Sequence, residues 1–310
     1  MIDEIDYKLI VELQKDSRQS LAQLAYSLNI NEDTAGRRIE NLVSSNTLIL
    51  TVLPDLKYIG YPIRAGIWVE VESSKLDAIS QELCRMPSLG FVSQYVGHPK
   101  FYVRGDYSSI ESMIKFTRDE LGKVNGIVSY ETTVEYDRVK SVYINLGISP
   151  QLNKSTTQVE HLKIDETDRR LVLQLQKNAR TSLKELAQYT GVSQMTVHRR
   201  IQELVNAKII RFTAILNVVK AGYPILCNVH IKTVPAKIND VASSISRYPN
   251  VNYVALISGP AQILVGVYAP SVDFISNFIN NEINKIDGIV KVELLTFFKV
   301  LGQTFAWLPE

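Results

Sequence analysis

The residues best equipped for chemistry lie in one short stretch, Ser193-Gln194-Met195-Thr196-Val197-His198-Arg199-Arg200. Read as a helix, it turns Val197 and the following Ile201 inward and leaves hydroxyl, amide and guanidinium groups outside. Gln and Arg can read base edges in the major groove, while Ser, Thr and Arg can hold phosphates. Ser193, Gln194, Thr196, His198, Arg199 and Arg200 are therefore candidates for contact with double-stranded DNA. A lone Arg-Arg pair on a helix is more often a solvated face, so the setting has to decide.

That setting is repeated. At an offset of 162 residues the chain is written twice: Ile2-Asp3-Glu4 matches Ile164-Asp165-Glu166, Leu13-Gln14-Lys15 matches Leu175-Gln176-Lys177, and Arg37-Arg38-Ile39 matches Arg199-Arg200-Ile201. The same offset relates Gly60-Tyr61-Pro62-Ile63 to Gly222-Tyr223-Pro224-Ile225, and Gly126-Ile127-Val128 to Gly288-Ile289-Val290. Each copy opens with helical spacing at Leu9, Ile10, Leu13 or Leu171, Val172, Leu175, and Arg18 or Arg180 marks a break. Ser20 and Ser182 are N-caps for a second helix, and Asn29 and Gly191 suit the left-handed corner before a third. Two short helices, a tight turn and a basic helix describe a helix-turn-helix.

The two copies are unequal. In copy one the third helix reads Asn31-Glu32-Asp33-Thr34-Ala35-Gly36-Arg37-Arg38, so Thr34, Arg37 and Arg38 are its candidates and two carboxylates would face the phosphates. Residues 2–52 hold 5 basic against 8 acidic side chains, and residues 164–214 hold 9 against 5. Over the longer spans the net charge is −4 for residues 1–148 and +6 for 163–310, within a chain total of +2. Copy two is expected to supply most of the DNA affinity, with copy one auxiliary or structural. Charge reversal of Arg199 and Arg200 should then abolish binding, and of Arg37 and Arg38 do less.

Behind each helix-turn-helix lies a second pattern. Strands are expected at Ile63–Val71, Phe91–Tyr95, Phe101–Arg104 and Ile127–Tyr136, with helices at Leu76–Cys84 and Ile110–Leu121. Copy two repeats it with strands at Ile225–Ile231, Val251–Ile257, Ile263–Tyr268 and Ile289–Phe298, and helices at Ile238–Ser246 and Val272–Ile283. The order β-α-β-β-α-β is the ferredoxin-like plan, with one sheet face left to bury. The fold class expected is α+β: two copies of a helix-turn-helix followed by a ferredoxin-like domain, their sheets packed as a pseudo-dimer. The boundaries expected are 1–52 and 163–214 for the helix-turn-helices, 60–148 and 222–310 for the ferredoxin-like domains, and 149–162 for a polar linker.

At 310 residues and 45% hydrophobic content, each copy can bury its own core, and no apolar run approaches the ~20 residues of a membrane helix. With Asp3, Glu4 and Asp6 directly after Met1, no signal segment is expected and the location should be cytoplasmic. Cys84 and Cys227 occupy inequivalent positions and are expected as buried thiols. Neither His161 nor His230 lies at ligand spacing, so no metal, no cofactor and no catalytic residue is expected. The Tyr residues at 58, 61, 95, 102, 130, 136 and 143 are spread over several elements and read as packing.

The chain resembles a tandem member of the leucine-responsive regulator (Lrp/AsnC) family. The carrying residues are Ile-Asp-Glu-x-Asp at 2–6 and 164–168, the Leu-Gln-Lys motifs at 13–18 and 175–180 that end in Arg18 and Arg180, the basic third helix, Gly97 with Gly259, and the Gly-Ile-Val at 126 and 288. The resemblance implies transcription regulation, dimerising second domains, and an amino acid or other small metabolite bound near the turn between the middle strands. Here that turn reads Gly97-His98-Pro99-Lys100 and Gly259-Pro260-Ala261-Gln262, so Lys100 and Gln262 replace the family's Asp and an effector contact through a carboxylate is lost. Gly97, His98, Lys100, Gly259, Pro260 and Gln262 are the effector candidates.

Two other functions fit the same plan. Fused proteins of this length that resemble the regulators decarboxylate sirohaem-type tetrapyrroles, placing His and Arg near the start of the first sheet strand. This chain has only Arg64 there. A scaffold that pairs with another regulator without touching DNA is the third. The expected assembly is a homo-oligomer of pseudo-dimeric chains, one strong head per chain, on a palindrome spaced by multiples of about 10.5 bp.

Overall fold

The computed structural model describes residues 2–95, 100–141 and 164–303. In copy one the elements are α1 (Glu4–Lys15), α2 (Leu21–Leu28), α3 (Glu32–Ser44), β1 (Leu48–Pro54), β2 (Ile63–Val71), α4 (Leu76–Arg85), β3 (Leu89–Tyr95), β4 (Phe101–Tyr107), α5 (Ile110–Asp119) and β5 (Ile127–Ser141). Copy two follows with α6 (Glu166–Lys177), α7 (Leu183–Thr190), α8 (Gln194–Asn206), β6 (Ile210–Leu216), β7 (Ile225–Thr233), α9 (Ile238–Ser246), β8 (Val251–Ile257), β9 (Ile263–Ala269), α10 (Val272–Asn281) and β10 (Ile289–Gln303). The two helix-turn-helices with β1 and β6 form one compact unit, and the two ferredoxin-like segments another.

Local chemistry sets the helix ends. Asp3 and Asp165 cap α1 and α6 in reciprocal capping boxes with Asp6 and Asp168, and Ser20 and Ser182 do the same for α2 and α7 with Gln23 and Glu185. Asn29 and Gly191 take the left-handed corner at φ 54° and 77°. The stripes Leu9, Ile10, Leu13 and Leu171, Val172, Leu175 are fully buried.

In the helix-turn-helix unit β1 and β6 form an antiparallel ribbon with Thr51 opposite Thr213. These positions are equivalent at the offset of 162, so a pseudo-twofold axis passes through the ribbon. The contacts across it are reciprocal. Thr51 Oγ1 donates to the Gln176 carbonyl at 2.9 Å, and Thr213 Oγ1 to the equivalent Gln14 carbonyl at 2.8 Å. Arg18 Nη2 donates to the Thr181 carbonyl at 2.9 Å, while Arg180 donates to the carbonyls of Ser17 and Gln19 at 3.0 and 3.2 Å. Arg18 also lies 4.9 Å from the Phe212 ring centroid. The two arginines that mark a break in the sequence are thus cross-links between copies, and burial lowers the pKa of both.

In the second unit each sheet has its fourth, first, third and second strands side by side, and the two sheets close into an eight-stranded barrel, β10-β3-β4-β2-β5-β8-β9-β7. Face burial between copies was the expectation; the edges are joined too. The first half of β5 pairs with β2, and its second half, Glu135 to Ser141, pairs with β8. Likewise β10 leaves β7 after Thr296 and pairs with β3 from Phe297 to Gln303. Both strands therefore run past the expected ends at Tyr136 and Phe298, because the partner for the extra residues lies in the other copy. The helices cover the outer faces over two cores, one around Ile67, Leu83 and Phe101 and one around Val229, Ile245 and Val265. Cys227 is buried as expected, but Cys84 is exposed, one residue past Leu83 and off the buried stripe of α4.

Candidate nucleic-acid interface

The third helix of copy two presents an open polar face. Ser193 caps α8, accepting from the Thr196 amide at 3.1 Å, and the two hydroxyls lie 2.9 Å apart. Gln194, Met195, His198 and Arg199 are exposed, and Val197 is buried. Arg199 pairs with Glu203 one turn on at 2.6 Å. An exposed i,i+4 pair is worth only about 0.3–0.5 kcal/mol, so this guanidinium can exchange its partner for a phosphate or a base. The first turn of α8 carries no acid, leaving the positive end of the helix dipole available to an anion.

Arg200 behaves differently. It is half-buried, with Nη2 2.8 Å from Asp165 and Nη1 3.0 Å from Asp168, the two carboxylates of the α6 capping box. Arg38 repeats this with Asp3 and Asp6, both at 2.7 Å. The backbone amide of Asp168 and the Arg200 guanidinium hold Asp165 below its ordinary pKa, whereas burial pushes Asp168 up despite its contact with Arg200. Each Arg-Arg pair thus divides its labour: Arg37 and Arg199 are exposed, while Arg38 and Arg200 brace the third helix on the first. The sequence groups all four as DNA contacts; the structure separates them, and it explains both aspartates of the Ile-Asp-Glu-x-Asp motif.

In copy one Asn31 caps α3 by accepting from the Thr34 amide at 2.7 Å. Glu32 and Asp33 are exposed in its first turn, where α8 has Gln194 and Met195.

Of the effector candidates, Gly97 and His98 lie outside the described residues. The Lys100 backbone completes the ladder, its amide donating to the Val69 carbonyl at 3.2 Å and its carbonyl accepting from the Tyr95 amide at 2.8 Å. Gly259, at φ +113°, and Pro260 are exposed in a turn secured to β5 by Ser258, whose amide donates to the Val134 carbonyl at 2.8 Å and whose hydroxyl accepts from the Val134 amide at 2.9 Å. Gln262 Oε1 accepts from the Thr233 amide at 2.9 Å, so this side chain is engaged within its own sheet.

Residues 2–43 and 164–205 match the AsnC-type helix-turn-helix domain, and residues 64–143 and 226–306 match the Lrp/AsnC ligand binding domain. The chain belongs to the Lrp/AsnC family. This Lrp/AsnC chain is 32% identical over 144 residues to an uncharacterized HTH-type transcriptional regulator of Pyrococcus horikoshii, a match covering 46% of this chain and 91% of that one. It is 33% identical over 130 residues to the HTH-type transcriptional regulator LrpA of the same organism, covering 42% of this chain and 92% of that one. Such relatives correspond to one copy. The tandem fold as a whole resembles the siroheme decarboxylase NirDL, with a TM-score of 0.69 at 15% identity over 97% of this chain and 93% of that one. Among the described residues no helix is long and apolar enough to cross a membrane, and no group of three or more His, Cys, Asp or Glu could hold a metal.

The ligand-binding domains of this Lrp/AsnC chain enclose a cluster in which sequence reasoning missed Trp68, Arg104, Asp106, Glu135 and Tyr253. Trp68 and His230, equivalent at the offset of 162, touch edge to face at 4.9 Å between ring centroids. Trp68 also packs on Tyr95 and Tyr102, and the Tyr95 hydroxyl accepts from Asn228 Nδ2 at 3.0 Å. Arg104 lies 5.4 Å from the Phe91 ring and 5.7 Å from that of Tyr253, again equivalent positions. Beside them Arg64 makes two bonds to Asp106, at 2.7 and 3.2 Å, while Tyr253 and Arg138 donate to Glu135. Burial opposes charge on Arg64, but Asp106, Tyr253 and Glu135 outweigh it and raise its pKa well above the ordinary value. His230 is pushed down to about 4 by burial, against the pull of Glu293 directly opposite on β10. That carboxylate is a neighbour invisible in the local sequence. The offset combined with strand alternation would have found the Trp68–His230 pair.

Proposed function

We propose that this chain is a DNA-binding transcriptional regulator that reads sequence chiefly through its second helix-turn-helix. The observation that carries this is the contrast between α8, whose first turn is uncharged and backed by an exposed Arg199, and α3, which opens with Glu32 and Asp33. Ser193, Thr196 and the α8 amides would hold phosphates, Gln194 and Arg199 would read base edges, and His198 would reach the backbone or a base. Arg37 and Thr34 make the lesser contacts of copy one. Arg200 and Arg38 position these helices through the aspartate caps rather than touching DNA.

The test is a titration of the purified chain on its own promoter fragment and on random duplex of equal length, at two salt concentrations. Tighter promoter binding that survives the higher salt is the expected result. Arg199→Glu should abolish it, and Arg37→Glu should weaken it less; equal losses would refute the primacy of α8. Equal, salt-labile binding to both duplexes, or none, would favour the partner-only scaffold.

A small-molecule effector would bind in the second unit. With Gln262 engaged by Thr233, and Lys100 in place of an acid in copy one, a ligand held by its ammonium group has no carboxylate at either turn. An anionic or uncharged metabolite fits better. Association of pseudo-dimeric chains into a homo-oligomer is part of the same proposal and is read by sedimentation.

The whole-chain likeness to a siroheme decarboxylase motivates a second reading, and it rests on fold alone. The side chains weigh against it. Arg64 is already paired with Asp106, and His230, depressed to about 4, carries no proton to donate as an imidazolium at neutral pH. Colour retained after incubation with a tetrapyrrole and desalting would reverse this judgement.

A further inference from the structure

Building on that DNA-reading function, we propose that one chain is a complete two-headed reader of a non-palindromic duplex, with α8 on one half-site and α3 on an unlike one. The first support is the ribbon. Thr51 faces Thr213, and the reciprocal bonds of Thr51, Thr213, Arg18 and Arg180 hold the two helix-turn-helices as a pair within a single chain. Two reading heads related by a twofold ordinarily dock on half-sites one helical turn apart. On this proposal each chain carries both heads, where one strong head per chain would need a second chain to complete the site.

The second support is what differs between the heads and what does not. The scaffold of α3 is intact: Asn31 caps it as Ser193 caps α8, Asn29 makes the left-handed corner as Gly191 does, and Arg38 is braced on Asp3 and Asp6 as Arg200 is on Asp165 and Asp168. Arg37 stands exposed as Arg199 does. Surface positions near the helix starts are exchanged, with Glu32 for Gln194, Asp33 for Met195 and Gly36 for His198. A helix retained only as packing would have no use for the exposed Arg37.

Base chemistry then separates the half-sites. Gln194 can pair with adenine N6 and N7, Arg199 with guanine O6 and N7, and Met195 offers an apolar contact to a thymine methyl. Glu32 and Asp33 only accept, so they match the amino groups of cytosine N4 or adenine N6 and are repelled by the acceptor edge of guanine. Any palindrome shows both heads the same edges and mismatches one of them.

The experiment is enrichment of bound duplexes from a random pool by the full chain, with the mass of the complex measured on the winners. Two unlike half-sites about one turn apart, with one chain for each such pair, are expected. On the selected site Arg199→Ala should cost about tenfold or more and Arg37→Ala less, each relaxing the half-site its own helix reads. The triple variant Glu32→Gln, Asp33→Met, Gly36→His should switch preference to a palindrome of the α8 half-site. It alters only helix-surface positions, and a Cβ at Gly36 meets no atom closer than Leu21 Cδ1 at 3.4 Å. Palindromic winners, two chains per site, random bases opposite α3, or a triple variant with unchanged preference would each overturn the inference while leaving DNA reading in place. No enrichment over the input pool would remove DNA reading itself.

Discussion

Acidification should loosen the barrel through one imidazole. His230 titrates near 4 in the folded chain against 6.5 for a free side chain, because burial against Trp68 disfavours its charged form more than Glu293 favours it. A base whose folded pKa is depressed stabilises the fold fully above pH 6.5, and that contribution is lost as pH falls from 6.5 towards 4. The depression of about 2.5 units corresponds to ~3.4 kcal/mol in full, and to about 2 kcal/mol between pH 7.5 and 5.0. The comparison is His230→Phe, which keeps an aromatic ring against Trp68 and cannot titrate. Urea unfolding is followed by Trp68 emission at both pH values, in a Trp307→Phe background that leaves one reporter. Carboxylate titrations common to both proteins cancel, so the parent should lose about 2 kcal/mol more than the variant on going to pH 5.0. An equal loss in the two proteins would show that the buried imidazole does not control this window.

The remaining predictions concern the ribbon, the barrel and the two arginine classes. Thr51→Val and Thr213→Val each remove a bond between copies at almost no change of shape, and should cost about 1 kcal/mol each in the helix-turn-helix unit by urea denaturation. Gly66→Ala puts a Cβ 2.5 Å from the Tyr102 hydroxyl and 2.6 Å from its ring, and should destabilise the barrel by about 1–3 kcal/mol, with altered near-ultraviolet circular dichroism. Arg200→Ala strips the cation from Asp165 and Asp168 and should lower thermal stability by about 1–2 kcal/mol, whereas Arg199→Ala should change stability by less than about 0.5 kcal/mol.

What could be read in the sequence was local or repeated. Ser20, Ser182, Asn29 and Gly191 announce their roles because a cap or corner is made with residues three or four positions away. The exposed face of α8 was legible for the same reason. The braces were half legible: Asp165 and Asp168 show as a helix start, but their hold on Arg200 spans 32 residues in the case of Asp168. That the sheets of the two copies pack together was legible from their uncovered faces, but the joining of their edges and the ribbon was not. Thr51 and Thr213 find carbonyls 125 and 199 residues away, and nothing in the alternation near Arg138 or Val300 says that these strands leave their own sheet. Arg18 and Arg180 looked like punctuation because their partners belong to the other repeat.

The reciprocal ribbon also bears on when and at what abundance the protein can work. The first helix-turn-helix cannot satisfy Thr51 or Arg18 until Gln176 and Thr181 have been synthesised, so during translation Thr51 waits for 125 further residues. Once made, it never has to search for a mate. A reader assembled from two separate polypeptides comes apart on dilution, and its occupancy falls with the square of its concentration. Here the pairing step is unimolecular, so a few molecules per cell would occupy their sites in simple proportion to their number.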